Sequence, residues 1–192
     1  MAFTKDEITA HALVIVDVQN AFITGAEAVP DCVQLQGAVK RLLENARAAK
    51  VPVVFLQNDG PAGAVDAPNT DGWQLFFPPE ARETVIRKSR DNGFDGTGLE
   101  NMLRAQGVRS MAICGMLSEM CLAATARAAL EKGFAVILSH DGHATYDVPV
   151  GPGNSEAVPA RLAARAAEWS LGDDIILLAA AGDIRFQTAR RR

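Results

Sequence analysis

Apolar positions along the chain follow two patterns, short unbroken runs and longer stretches spaced as on a helix face. Residues 12–16 (ALVIV) and 51–57 (VPVVFLQ) are runs of the first kind, which suit strands covered on both faces. Between them, residues 32–50 carry Val33, Leu35, Val39, Leu42, Leu43 and Ala46 near helical spacing, with Asp31 placed as an N-cap. That is one β-α-β unit. The alternation continues with TVIRK from Thr84, a helix over about 97–105, the strand SMAICG at 110–115 and a helix over about 119–132. It ends with the strand AVILS from Ala135, a helix over about 156–170 and the strand DIILLAA from Asp174. Parallel neighbours need crossover connections. The pattern therefore predicts a single α/β domain over residues 1–192, a Rossmann-like three-layer α/β/α sandwich around a parallel six-stranded sheet. Residues 60–79, rich in Pro, Gly and Asp and anchored by Trp73, Leu75, Phe76 and Phe77, read as a long loop of the functional kind.

Composition narrows the function classes. With 19 Lys and Arg against 23 Asp and Glu, the net charge of -4 has the wrong sign for neutralising phosphate backbones, so nucleic acid is not an expected partner. The longest apolar stretches, such as IILLAAAG at 175–182, fall far short of the roughly 20 residues that cross a bilayer, so no membrane partner is expected. MAFTKDEITAHALVIVD lacks the features of a secretory signal, giving a cytoplasmic expectation. The 3 cysteines, Cys32, Cys114 and Cys121, fit neither a disulfide framework nor a zinc spacing. The closing ARRR reads as a solvated tail.

Ligands in open parallel sheets bind beyond the carboxyl ends of the strands. Asp17 closes ALVIV, Lys88 closes TVIR, and Cys121 follows SMAICG where GMLSEMC enters a helix. Singly, each has an ordinary alternative as a turn residue, a solvated charge or a small buried hydrophobe. Together they can do chemistry. If Ser118 caps the helix, Cys121 falls in its first turn, where unpaired amides and the dipole favour a thiolate. A carboxylate at Asp17 could take the thiol proton and the Lys88 ammonium could offset the charges, while the amides of Leu117 and Cys121 could face an oxyanion. Cys114, inside a strand, and Cys32, at the start of an amphipathic helix, read as packing residues.

Four segments in order, VIVDVQNAF from Val14, VIRKSRDNGFDGTGLENMLRAQGV from Val85, CGMLSEMCLAATARAALEKGF from Cys114 and SHDGHATYD from Ser139, give the chain a resemblance along nearly its whole length. It resembles the isochorismatase-like cysteine hydrolases, which include nicotinamidases, N-carbamoylsarcosine amidases and streptothricin hydrolases. The resemblance implies a triad at Asp17, Lys88 and Cys121, an oxyanion hole at Leu117 and Cys121, and a cis peptide between Met116 and Leu117. It also implies a substrate pocket at Phe22, Gln57, Trp73, Met116 and His143, and a homo-oligomer, dimer or tetramer. Ser118, Glu119 and Leu122 stand where Thr, Asp and Val are usual.

Relatives that bind a metal carry an Asp-and-histidine set near the QNDG segment, and no histidine lies between His11 and His140 here. No metal and no cofactor are therefore expected. DGWQLFFPPE from Asp71 resembles the loop of amidase relatives that lack that metal; its aromatics either anchor the loop or touch substrate. The activity implied is cleavage of a C–N amide bond of a small-molecule amide through a thioester, first of all a cyclic, streptothricin-type lactam. The alternatives are another amidase of the family, N-carbamoylsarcosine amidase-like or nicotinamidase-like, and a binding protein without turnover.

Two rival motifs carry less. GFDGTG from Gly93 has the wrong glycine order for a dinucleotide fingerprint. Ser118 is outside a G-x-S-x-G elbow. His140 and His143 read as shaping a loop, with a pocket-rim role open for His143.

Overall fold

A computed structural model describes residues 9–189. Its strands are β1 (Leu13–Val16), β2 (Val53–Asn58), β3 (Thr84–Lys88), β4 (Ser110–Met116), β5 (Ala135–Ser139), β6 (His143–Ala144) and β7 (Ile175–Leu178). The helices are α1 (Asn20–Ile23), α2 (Cys32–Ala48), α3 (Leu99–Ala105), α4 (Ala123–Glu131) and α5 (Ala160–Ser170). The strands make one seven-stranded parallel sheet in the order β3-β2-β1-β4-β5-β7, with β6 paired to the end of β4. The count exceeds the expected six because β6, two residues inside DGHATYD, is too short to show any periodicity.

Successive side chains of a strand point to opposite faces, and here both faces are covered. Leu13 and Ile15 join Val53, Phe55 and Cys114 against Leu35, Val39 and Leu42 of α2. Val14 and Val16 join Val54, Leu56 and Ile113 against Leu99 and Leu103 of α3 and Ala126 of α4. This is why ALVIV shows no alternation. Each large side chain so buried contributes roughly 1.5–3 kcal/mol, and a slip of one residue would exchange the two layers, so the register is firmly set.

Strand order reverses between β1 and β4, opening a crevice beyond their carboxyl ends. Gly115 makes that seam possible: its φ is +122°, and a Cβ there would stand 2.0 Å from the Val16 carbonyl oxygen.

Local starts and stops differ from the sequence expectations where side chains choose other partners. Asp31 precedes α2 but makes no side-chain capping bond. The helix expected from about 156 begins at Ala160, because Pro159 disfavours helical backbone in the residue before it. Val158 instead bridges Val148, and the Ala160 amide donates to Asp147 Oδ1 at 2.7 Å. No helix among the described residues is long and apolar enough to cross a membrane. The first eight residues, on which the leader expectation partly rests, and Arg190 to Arg192 of the expected tail lie outside the described residues.

Candidate active site

Three strands deliver the three predicted residues to the crevice. Asp17 follows β1, Lys88 ends β3, and Cys121 lies on a π-helical turn, Ser118–Leu122, directly beyond β4. Lys88 Nζ donates to Asp17 Oδ2 at 2.7 Å and to Cys121 Sγ at 3.4 Å. Asp17 has a φ of 53°, in the left-handed region that a non-glycine residue visits sparingly, and the turn is held by its amide on the Leu56 carbonyl and its carbonyl under the Gln19 amide. Asp17 and Lys88 are buried and Cys121 is half-buried. Asp17 Oδ1 is sealed from solvent, and no donor among the described residues reaches it.

Burial sets the charges. It pushes the Asp17 carboxyl up to about 6, against the opposing pull of the Lys88 ammonium. Burial would lower Lys88, but the Asp17 charge, together with the hydrogen bonds to Asp17 and to the Cys121 sulfur, outweighs it and holds the ammonium above the ordinary lysine range. The Cys121 thiol is pushed well up, first by burial and then by the Asp17 charge, which together exceed the help from Lys88. Burial thus works against the thiolate that the turn's amides and dipole favour, and the site rests as carboxylate, ammonium and thiol, with Asp17 placed as the expected acceptor of the thiol proton. The thiol donates to Asp91 Oδ1 at 3.5 Å.

Two neighbours were missed in the sequence. Asn58 ends β2 with its Oδ1 3.5 Å from Lys88 Nζ, its amide accepted by Gln19 Oε1 and its Nδ2 donating to Asp66 Oδ2 at 2.7 Å. The strand-end rule that selected Asp17 would have found it. Asp91, in the charged RKSRDN segment, carried no distinguishing signal.

The expected pocket residues divide. Phe22 and Trp73 are half-buried, whereas Gln57, Met116 and His143 are buried. Gln57 is a strut: its Nε2 donates to the Trp73 carbonyl at 2.8 Å, as does Gln19 Nε2 at 3.0 Å, stitching the 60–79 loop over the ends of β1 and β2. Met116 belongs to the core beneath α2. His143 lies inside the fold with both ring nitrogens engaged, which removes it from the rim. Trp73 Nε1 donates to Asp59 Oδ1 at 2.8 Å, the Arg87 guanidinium stacks 5.1 Å from its ring centroid, and Arg87 Nε and the terminal nitrogen also reach Asp59 at 3.0 and 2.8 Å. The Asp59 carboxylate is therefore committed to an indole and a guanidinium. No cluster of His, Cys, Asp and Glu with metal-holding geometry occurs among the described residues.

In the turn itself, the Leu117 carbonyl accepts the amides of Met120 at 3.1 Å and Leu122 at 3.2 Å, and the Met116–Leu117 peptide is cis. Ser118 does not cap the helix as expected; its hydroxyl is 2.8 Å from His143 Nδ1. Cys114 is buried in β4 with its thiol raised by desolvation, and Cys32 packs at the start of α2.

Residues 11–168 match the model of the Isochorismatase domain. The chain is 54% identical over 178 residues to a streptothricin hydrolase from Streptomyces noursei, covering 92% of this chain and 64% of that protein. It thus spans less than two thirds of that relative's length. Its fold superposes on an isochorismatase from Pseudomonas putida with a TM-score of 0.83 at 25% identity, covering 91% of this chain and 90% of that one. It superposes on N-carbamoylsarcosine amidase from Thermoplasma acidophilum with a TM-score of 0.67 at 30% identity, covering 72% and 86%.

Proposed function

The chain belongs to the isochorismatase family, and from that premise we propose that it is a cysteine hydrolase that cleaves a C–N amide bond through a thioester on Cys121. The observation that carries the reading is the Lys88 ammonium, placed 2.7 Å from the Asp17 carboxylate and 3.4 Å from the Cys121 sulfur. A buried cation bridging a base and a thiol is what attack by sulfur requires, since the thiol must lose its proton as it gains negative charge.

The thiol proton passes to Asp17, whose Oδ1 has a free lone pair, as Sγ adds to the carbonyl carbon. The oxyanion formed is held by the amides of Leu117 and Cys121. Its collapse breaks the C–N bond, and Asp17 returns the proton to the departing nitrogen. Water then adds to the thioester while Asp17 takes its proton. The second collapse releases the carboxylic acid, and the proton goes back to sulfur.

The preferred substrate is a cyclic amide of the streptothricin lactam type, supported by the 54% identity to a streptothricin hydrolase. A linear amide is the second reading, supported by the likeness to N-carbamoylsarcosine amidase. Mass analysis after incubation with a streptothricin-type lactam, N-carbamoylsarcosine and nicotinamide separates them. Ring opening adds one water to a single product, whereas linear substrates release ammonia or an amine. Cys121→Ala is expected to abolish turnover and Cys114→Ala to retain it. Turnover by folded Cys121→Ala near the wild-type rate would sink the thioester reading.

A further inference from the structure

We propose that Ser118, His143 and Glu168 form a buried positioning chain that holds the turn carrying Cys121 in the geometry of carbonyl attack. The proposal rests on the hydrolase reading above. Ser118 Oγ lies 2.8 Å from His143 Nδ1, and His143 Nε2 lies 3.0 Å from Glu168 Oε1. His140 Nδ1 meets the same oxygen at 2.6 Å, and Arg165 donates to Oε2 at 3.2 Å.

The direction of the bonds to Glu168 follows from the carboxylate. Hydrogen bonds from His143 and His140 outweigh the burial of Glu168 and hold its carboxyl below the usual range, so it is ionised and only accepts. His143 must then donate from Nε2, and its Nδ1 shares the remaining hydrogen bond with the Ser118 hydroxyl. The order Ser-His-Glu is that of a nucleophilic triad, yet Ser118 is 0% exposed and His143 6%. No substrate reaches that hydroxyl, and the chain acts through the backbone it holds.

That backbone needs holding. Ser118 opens the π turn, directly after Leu117 and three residues before Cys121. Within the turn Met120 sits at φ -105°, ψ -106°, outside helical space, so the segment carrying Cys121 is kinked and lacks the continuous ladder of a regular helix. The restraints come from β6 and the residue after it. Register with β4 at Gly115↔His143 and Met116↔Ala144 sets His143 against Ser118, and Thr145 Oγ1 donates to Glu119 Oε1 at 2.8 Å. Two successive residues of the turn are thus pinned by β6 and the residue that follows it, and β6 is itself anchored through His143 to Glu168 on α5.

The test compares wild type, Ser118→Ala, Ser118→Thr and Glu168→Gln for kcat and KM on an amide the wild type cleaves, for alkylation of Cys121 by iodoacetamide, and for Tm. Misplacing the turn by a fraction of an ångström should lower kcat of Ser118→Ala about 10- to 100-fold, with KM and alkylation rate within about two-fold, because alkylation needs no oxyanion geometry. Ser118→Thr, which keeps the hydroxyl, should restore kcat, and Glu168→Gln should fall between. Wild-type kcat in folded Ser118→Ala overturns the proposal, as does a parallel loss of kcat and alkylation that Thr fails to repair. If Ser118→Ala does not fold, unchanged kcat in Glu168→Gln overturns it. Failure of the hydrolase reading looks different: alkylated wild type, or Cys121→Ala, would still turn over.

Discussion

Replacing Lys88 by Met keeps the straight aliphatic stem and removes only the charge between Asp17 and Cys121. Two consequences follow from the geometry. At 3.4 Å from sulfur, the ammonium stabilises a developing thiolate by about 5 kcal/mol at an effective dielectric of about 20. Loss of that stabilisation is on the order of 10³ to 10⁴ in rate. Asp17, already raised by burial to about 6 with its ammonium present, would rise further without it and be protonated at neutral pH, removing the base. These are two views of one lost charge, so they do not multiply. Steady-state release of product by Lys88→Met should fall by about 10³ or more, and Asp17→Asn by on the order of 10² to 10⁴. The double variant should be little worse than the poorer single one, because groups that act as a unit are non-additive. Iodoacetamide alkylation of Lys88→Met should need a higher pH than wild type. Folded Lys88→Met within ten-fold of wild type, with losses that add in the double variant, would refute the reasoning and return both residues to structural roles.

In the proposed mechanism Asp17 must be charged to accept the thiol proton, so kcat/KM is expected to fall as pH drops through about 6, set by its burial-raised carboxyl; a pH–rate profile whose acid limb survives in Asp17→Asn would contradict this. Because Trp73 and Arg87 occupy the Asp59 carboxylate, a chelator should leave the rate unchanged, and a loss restored by a divalent ion would count against that assignment.

Much of the fold was legible because burial on both sheet faces writes itself locally: ALVIV, VPVVFLQ and SMAICG are continuous apolar runs for a physical reason. Asp17, Lys88 and Cys121 were legible for another, since they end or follow strands of a parallel sheet. What stayed hidden depends on side chains distant in sequence. Ser118 has the composition of a helix cap, and only the approach of His143, 25 residues on, gives its hydroxyl another partner. Gln57 and Met116 occupy strand positions compatible with a pocket, but the 60–79 loop and the core under α2 cover them. The rise of the Cys121 thiol stayed out of view because dipole arguments count the turn and omit the depth at which it sits.

The glycine at the seam between β1 and β4 bears on how substitutions in this chain should be interpreted. At position 115 the approach of the strands that lead to Asp17 and Cys121 is governed by a missing carbon atom. Even a methyl group would collide with the Val16 carbonyl and act as a wedge, prising the strand that presents Asp17 from the one that leads to Cys121. A substitution scan is expected to score Gly115 as severely as Cys121, the proposed nucleophile, although it offers substrate no side chain at all. Loss of activity at this position would measure spacing, in the way that a shim removed from a lens mount blurs an image without touching the glass.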